Sequence, residues 1–246
     1  MRISDELNRQ ATPDLEKLKN QAQMTVSRLR QFGDALALEL GRDPDMDFLI
    51  APLKKDDRIY EKVIEKYDGD PSRVTDITRG RILFDRPEQV EQFRKLFANS
   101  GKNRHQFLKS WEKKGIEVLE VKDYFASPKD AGYVGVNFKV RVELSKGRYH
   151  ICELQLMHQN MQHTDSLSHE IFEEIRSLKA KTAEEDRDFS DEEQKLYEQL
   201  VDVNRTIYRR AIRENGLTSL VPESGHVHER LFTQSPRAPV PGVSYS

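Results

Sequence analysis

The sequence predicts an α+β fold, a β-sheet flanked by helices, because its two hydrophobic periods fall in different places along 246 residues. Short alternating segments rich in Val and Ile occupy the middle, between Val74 and Leu156, whereas apolar residues recur every three to four positions before and after them. A hairpin fixes at least one antiparallel pair, since FKVRVEL and YHICELQL flank the turn Ser145-Lys146-Gly147-Arg148.

Each element has its own signal. Thr12 can cap a helix and Pro13 suits its first position. Leu15, Leu18, Ala22, Val26, Leu29, Phe32 and Leu36 then share one face up to Leu40. After Gly41 a turn leads to a second helical pattern over 53–67, closed by Asp68-Gly69-Asp70-Pro71. Val74 to Phe84 predicts a strand, and Asp85-Arg86-Pro87-Glu88 opens a helix bearing Val90, Phe93, Leu96 and Phe97. Ile116 to Val121 alternates as a strand, and the hairpin follows. Helical spacing resumes over 167–178, and Ser190 with Glu193 forms a capping box before Leu196, Leu200, Val203 and Ile207. Four of the ten prolines lie between Gly216 and Ser246 without any apolar period, which predicts a flexible tail. The expected division is an N-terminal helical segment (1–50), a central domain (51–180), a C-terminal helix (181–216) and the tail (217–246).

Composition narrows the function. Forty Lys and Arg against 42 Asp and Glu give a net charge of −2, which offers no global attraction to nucleic acid or acidic lipid. The single cysteine, Cys152, rules out an internal disulfide and a Cys-rich zinc module, so a reducing, cytoplasmic setting is expected. No apolar window is long enough to cross a bilayer. The phosphate-loop, GxGxxG, HExxH, CxxC and GxSxG signatures are absent, so phosphate chemistry here has to use side chains. His158, His163 and His169 are spaced by five and six residues and do not align on one helical face, which argues against zinc.

What remains is a scatter of charge with a pattern. Lys54, Arg58 and Lys62 stand at four-residue steps, as on one stripe of a helix, although a solvated face reads the same way. Asp76 opens an apolar strand where a carboxylate has no packing role; it suits a metal ligand or a turn residue. Arg79 and Arg81 follow. Lys122, Lys129 and the glycine-flanked Tyr133 come from KDYFASPKDAGY, and Glu153 and Gln155 share one face of a strand. Separated acids, several cations and an exposed aromatic describe a site for a polyphosphate nucleotide with a divalent ion, and hard oxygen ligands suit Mg2+.

The order of these motifs resembles the synthetase domain of the RelA/SpoT homologues, the alarmone synthetases, from about Ala51 to Leu178. Lys54, Arg58 and Lys62 are similar to the family's first motif, and Asp76 to Arg81 to its strand motif. Lys122-Asp123-Tyr124, Pro128-Lys129 and Gly132-Tyr133 resemble its central block. Glu153-Leu154-Gln155 resembles its Glu-Leu-Gln strand, and His169 to Arg176 its later helix. The departures are Pro52 where many members have arginine, Val134-Gly135-Val136-Asn137 after the tyrosine, and Met157-His158 after Glu-Leu-Gln. They place the chain nearer the divergent small or toxin-like members. No His-Asp dipeptide occurs, so the resemblance implies synthesis without hydrolysis.

The resemblance implies a mixed sheet of nucleotidyltransferase-like type. The implied reaction is transfer of the β,γ-pyrophosphate of ATP to the ribose 3′-hydroxyl of a purine nucleotide, giving (p)ppGpp or a related alarmone and AMP. Asp76 and Glu153 would hold Mg2+, with Glu153 also the general base. Lys54, Arg58, Lys62, Arg79, Arg81, Lys122, Lys129 and His169 would serve nucleotide binding. Tyr133 would stack on the acceptor base, and Gln155 and Asn137 would orient it. Two alternatives stay open. One is transfer to the 3′ end of an RNA such as tRNA, for which Lys102, Arg104, Lys109, Lys113 and Lys114 around Phe107 and Trp111 could form a track. The other is an inactive nucleotide-sensing module. Self-association, a neutralising antitoxin or immunity protein, and delivery as an effector into another cell's cytoplasm are compatible with the toxin-like pattern.

Overall fold

The computed structural model describes residues 8–98 and 105–222. Helix α1 spans Leu15–Glu39. Its cap is Asp14, whose carboxylate accepts from the Lys17 amide at 3.1 Å, while Thr12 caps nothing helical and instead accepts from the Asp14 amide. A short helix α2 (Pro44–Asp47) leads into strand β1 (Phe48–Ile50), which the sequence pattern missed because three residues are too few to show an alternation.

Helix α3 runs from Asp56 to Tyr67, β2 from Arg79 to Phe84, α4 from Pro87 to Phe97 and α5 from Gln106 to Lys113. Strands β3 (Ile116–Asp123), β4 (Val136–Ser145) and β5 (Arg148–His158) follow, then α6 (Met161–Glu184) and α7 (Asp191–Glu214). The capping box of α7 forms as expected, with the Glu193 amide donating to Ser190 Oγ and the Ser190 amide to the Glu193 carboxylate.

The five strands lie in the order β1-β2-β5-β4-β3. β2 and β5 pair in parallel and every other neighbour is antiparallel, so the sheet is mixed and the fold is α+β. One face is apolar. Ile82, Phe84, Leu154, Leu156, Phe138 and Val140 pack there into one core with Leu29, Phe32 and Leu36 of α1 and Val90, Phe93 and Leu96 of α4. Burial of these side chains at about 25 cal/mol per Å² is the main favourable term holding the layers together.

The opposite face carries two polar ranks across four strands. Arg79, Glu153, Lys139 and Glu120 form the first; Arg81, Gln155, Asn137 and Lys122 form the second. A bulge between Val118 and Glu120 makes the ranks complete. In strict alternation Glu117 and Glu120 would point to opposite faces, whereas the inserted residue lets Glu117 oppose Arg141 and Glu120 oppose Lys139.

The C-terminal segment departs from expectation at its start. Leu217 and Leu220, around a 3₁₀ turn at Thr218–Leu220, are buried in the main core, so the chain stays docked through this turn. The predicted tail from 223 onward lies outside the described residues. Among the described residues no helix is long and apolar enough to cross a membrane.

Candidate active site

Asp76 is the centre of charge. The sequence puts it at the start of a strand and Lys54 on a helix, and the structure corrects both. Residues 74–78 are irregular ahead of β2, and Lys54 lies in the loop before α3, whose N-cap is Lys55. A strand over 74–78 would alternate side chains between faces. As irregular backbone it buries Val74 and Ile77 against Leu18 and Ile59, and Asp76 is left facing the lysines.

The Lys54 and Lys62 ammonium groups both donate to Asp76 Oδ2, each at 2.7 Å. Burial pushes the Asp76 carboxyl up, but the two cations outweigh it and hold it at about 2, below the ordinary 3.8. Burial wins at Lys54, which is lowered despite Asp76; at Lys62 burial is again the largest single influence, but the charge and hydrogen bond of Asp76 together with Tyr67 and Glu153 exceed it and the group is raised. Arg58 breaks the predicted stripe. It turns to Glu61 and to Glu173 of α6, at 2.7 and 3.4 Å, and does not reach Asp76.

The polar ranks supply the rest. Arg79 stands opposite Glu153 across the parallel pair. Arg81 donates to Gln155 Oε1 at 2.9 Å from Nη2 and 3.2 Å from Nε, and Gln155 Nε2 donates to Glu153 Oε1 at 3.2 Å. Gln155 therefore spends its oxygen and one of its two N–H donors on its neighbours, whereas Asn137 spends only its oxygen. Asn137 Oδ1 accepts from the Tyr133 hydroxyl at 3.0 Å. Lys122 pairs with Glu120 at 3.4 Å, and Lys139 pairs with the other oxygen of the same carboxylate at 3.3 Å.

Tyr133 is not the exposed aromatic that its flanking glycines suggested. It is 8% exposed, with Tyr124 and Tyr208 edge-on to its ring at 5.7 and 6.1 Å. Lys129 Nζ lies 4.6 Å over that ring and 4.7 Å over Tyr124, which is only half-buried. The glycines serve close packing: a Cβ on Gly135 would sit 3.0 Å from the Tyr133 hydroxyl, and one on Gly132 would sit 2.9 Å from Arg205 Cα. His169 is exposed on α6 and joins none of these hydrogen bonds.

Sequence reading missed Asp165, Tyr208, Glu120 and Lys139. Asp165 accepts from Arg81 Nη2 at 3.4 Å and from the Tyr208 hydroxyl at 2.7 Å. Glu120 and Lys139 carried a signal, being charged residues inside apolar strands, but only the bulge shows that they share a face.

A magnesium ion fits this donor set. Asp76 Oδ1 is buried and has no hydrogen-bond partner, so one hard oxygen of the carboxylate is free while the other is held by lysines. Among the described residues no three acidic, His or Cys side chains converge as a cage.

The aromatic half of the predicted RNA track packs on the core, Trp111 buried and Phe107 partly so. Trp111 meets Phe32 edge-on at 5.4 Å, and Phe107 packs beside both. Lys102 and Arg104 lie outside the described residues.

No family model matches the chain, and no curated protein matches it in sequence. Solved structures do match. The small alarmone synthetase 2 from Bacillus subtilis aligns at a TM-score of 0.56 with 18% identity, over 83% of this chain and 95% of that one. The small alarmone synthetase 1 from Bacillus subtilis aligns at 0.50 with 14% identity, over 83% and 97%. The Type VI effector Tas1, solved with its immunity protein, aligns at 0.48 with 19% identity, over 79% and 96%. At such identities what is shared is architecture: the chain has the fold of the small alarmone synthetases.

Proposed function

We propose that this protein is a nucleotide pyrophosphokinase, which transfers the β,γ-pyrophosphate of ATP to the ribose 3′-hydroxyl of a free purine nucleotide. The observation that carries the reading is Asp76, buried between Lys54 and Lys62 with one oxygen unspent, beside the Arg79–Glu153 rank in a fold shared with alarmone synthetases. Lys54, Lys62, Arg79 and Arg81 bind the triphosphate and neutralise charge that builds as the transferred group moves. Glu153 takes the 3′-hydroxyl proton, and the 3′-oxygen attacks the β-phosphorus. The bond from that phosphorus to the oxygen bridging to the α-phosphate breaks, and AMP leaves.

Asp76 and Glu153 are the residues that would hold Mg2+, which when bound supplies charge compensation for the phosphate oxygens. Asn137 offers its amide N–H groups to the acceptor, and half-buried Tyr124, with Lys129 over its ring, offers an aromatic platform for the base. Burial of Trp111 and partial burial of Phe107 against the core favour a free nucleotide over RNA, since stacking along a strand needs open aromatic faces.

The test is incubation with γ-labelled ATP and Mg2+ against GDP, GTP, adenosine nucleotides and tRNA, with AMP and labelled product resolved by chromatography. Label should pass to a mononucleotide. Asp76→Asn and Glu153→Gln should each lower turnover at least about a hundredfold. Near-normal AMP release by both variants would sink the assignment, and label on tRNA alone would replace the acceptor.

A further inference from the structure

A line of hydrogen bonds connects the last long helix to the carboxylate proposed as base. On α7 the Tyr208 hydroxyl donates to Asp165 Oδ1 at 2.7 Å, and Asp165 Oδ2 accepts from Arg81 Nη2 at 3.4 Å. Arg81 donates to Gln155 Oε1 at 2.9 and 3.2 Å, and Gln155 Nε2 donates to Glu153 Oε1 at 3.2 Å. Four side chains from α7, α6, β2 and β5 thus lie in series behind Glu153.

Chemistry sets the direction of every link. A guanidinium has donors only, so the Gln155 oxygen must face Arg81, which turns its NH2 toward Glu153. An ionised Asp165 can only accept, so Tyr208 must donate to it. Tyr208 is 1% exposed, and its ring is fixed by Tyr133 and Phe172. Ser168 Oγ lies 3.1 Å from its hydroxyl. Burial, and after it the Asp165 charge, raises the phenol above its ordinary pKa, so it keeps the proton it donates. Without Asp165, Arg81 would face only a neutral amide, and the Gln155 amide would lose the constraint that keeps it from flipping.

We infer that Tyr208 and Asp165 are positioning residues for Glu153: they hold Arg81 against Gln155 and so present the Gln155 amide N–H to the Glu153 carboxylate. Neither touches the reacting atoms. What Glu153 then does rests on the pyrophosphokinase reading, but the relay itself does not.

The experiment uses the full chain with Tyr208→Phe, which keeps the ring, and Asp165→Asn, which keeps the shape and decides the matter should the first variant not fold. The first readout needs no turnover. In ¹⁵N-labelled protein the Arg81 Nε–H and Gln155 NH2 signals should move and exchange faster with water in either variant, while sheet backbone amides stay in place. The second readout is AMP release. In either variant kcat should fall about tenfold with KM for ATP within about twofold, and adding the change to Gln155→Ala should cost nothing further. Unmoved Arg81 and Gln155 signals would overturn the relay, as would a loss that adds in full to Gln155→Ala or appears in KM alone. If the unsubstituted protein releases no AMP with any acceptor, the pyrophosphokinase reading falls, and the NMR comparison still decides the relay.

Discussion

Asp76 and His150 are buried titratable side chains, one anionic and one basic, whose shifts fall on the acid side of neutrality, and each leaves a signature in stability against pH. Asp76 is depressed from 3.8 to about 2, so its share of stability is present above 3.8 and is lost as pH falls through 2. The shift corresponds to about 2 kcal/mol. His150 is fully buried on the apolar face of β5, and neither ring nitrogen has a partner. Burial alone lowers it from 6.5 to about 4. The unfolded chain therefore takes up this proton at higher pH than the folded one. Stability is complete above 6.5 and declines as pH falls from there to 4, with His158, also lowered by burial, adding to the slope. Urea unfolding at pH 7.5 and pH 5 should show a loss of about 2 kcal/mol from His150. His150→Leu should remove most of it; an unchanged slope in that variant would show that another group carries the proton. The chain order marked Asp76 because an acid before an apolar strand has no packing role, whereas His150, next but one to Cys152 and without further metal-ligating neighbours, gave no sign of its burial.

At the scale of elements, α7 holds the loop that carries Lys129 and Tyr133. Buried Asn204 donates to the Ala131 carbonyl at 2.8 Å, Arg205 donates to the Asp130 carbonyl, and Gly132 lies against the Arg205 backbone with φ at 88°. A methyl group at 132 meets backbone atoms that cannot rotate away and imposes a left-handed conformation on an L-residue. Gly132→Ala should therefore cost about 1–3 kcal/mol in urea unfolding and weaken acceptor binding more than ATP binding. Equal loss for both nucleotides would mean that the sheet itself has been disturbed. Such docking is invisible to hydrophobic periodicity. The patterns located α1, α4, β3, the hairpin and α7 because each has a strong period or cap. They extended β2 back to Val74 because Val74, Thr75, Ile77 and Thr78 are β-branched, yet those residues are buried in a loop by α1 and α3.

For the whole molecule, what the linear order carried was the inventory of charged groups; what it could not carry was how far apart the fold would set them. Lys54, Lys62 and Asp76 meet although 22 positions separate the first from the last, while Arg58, midway in the same spacing, faces α6. Asp165 and Tyr208 enter through α6 and α7, whose sequence signals, the His169 to Arg176 motif and the Ser190–Glu193 capping box, lie elsewhere along the helices. The same non-local closure governs the C-terminus. Proline content predicted a free segment from Gly216, but Leu217 and Leu220 fill the core beside Val90 and Phe93, and the Leu217 amide donates to the Ile212 carbonyl at 2.9 Å. A chain ended at Asn215 should therefore melt below one ended at Pro222. Each buried leucine contributes about 1.5–3 kcal/mol of burial, against which the entropy of ordering the turn is set, and every net kcal/mol lost should lower Tm by roughly 2–4 °C for a chain of this size. Because α7 precedes this turn and bears Tyr208, the shorter chain should also lose turnover at temperatures where it remains folded. Equal melting temperatures for the two truncations would show that Leu217 and Leu220 contribute no net burial, and that α7 is held by its own core residues Tyr208, Ala211 and Ile212 with its contacts to α6 and the 129–135 loop.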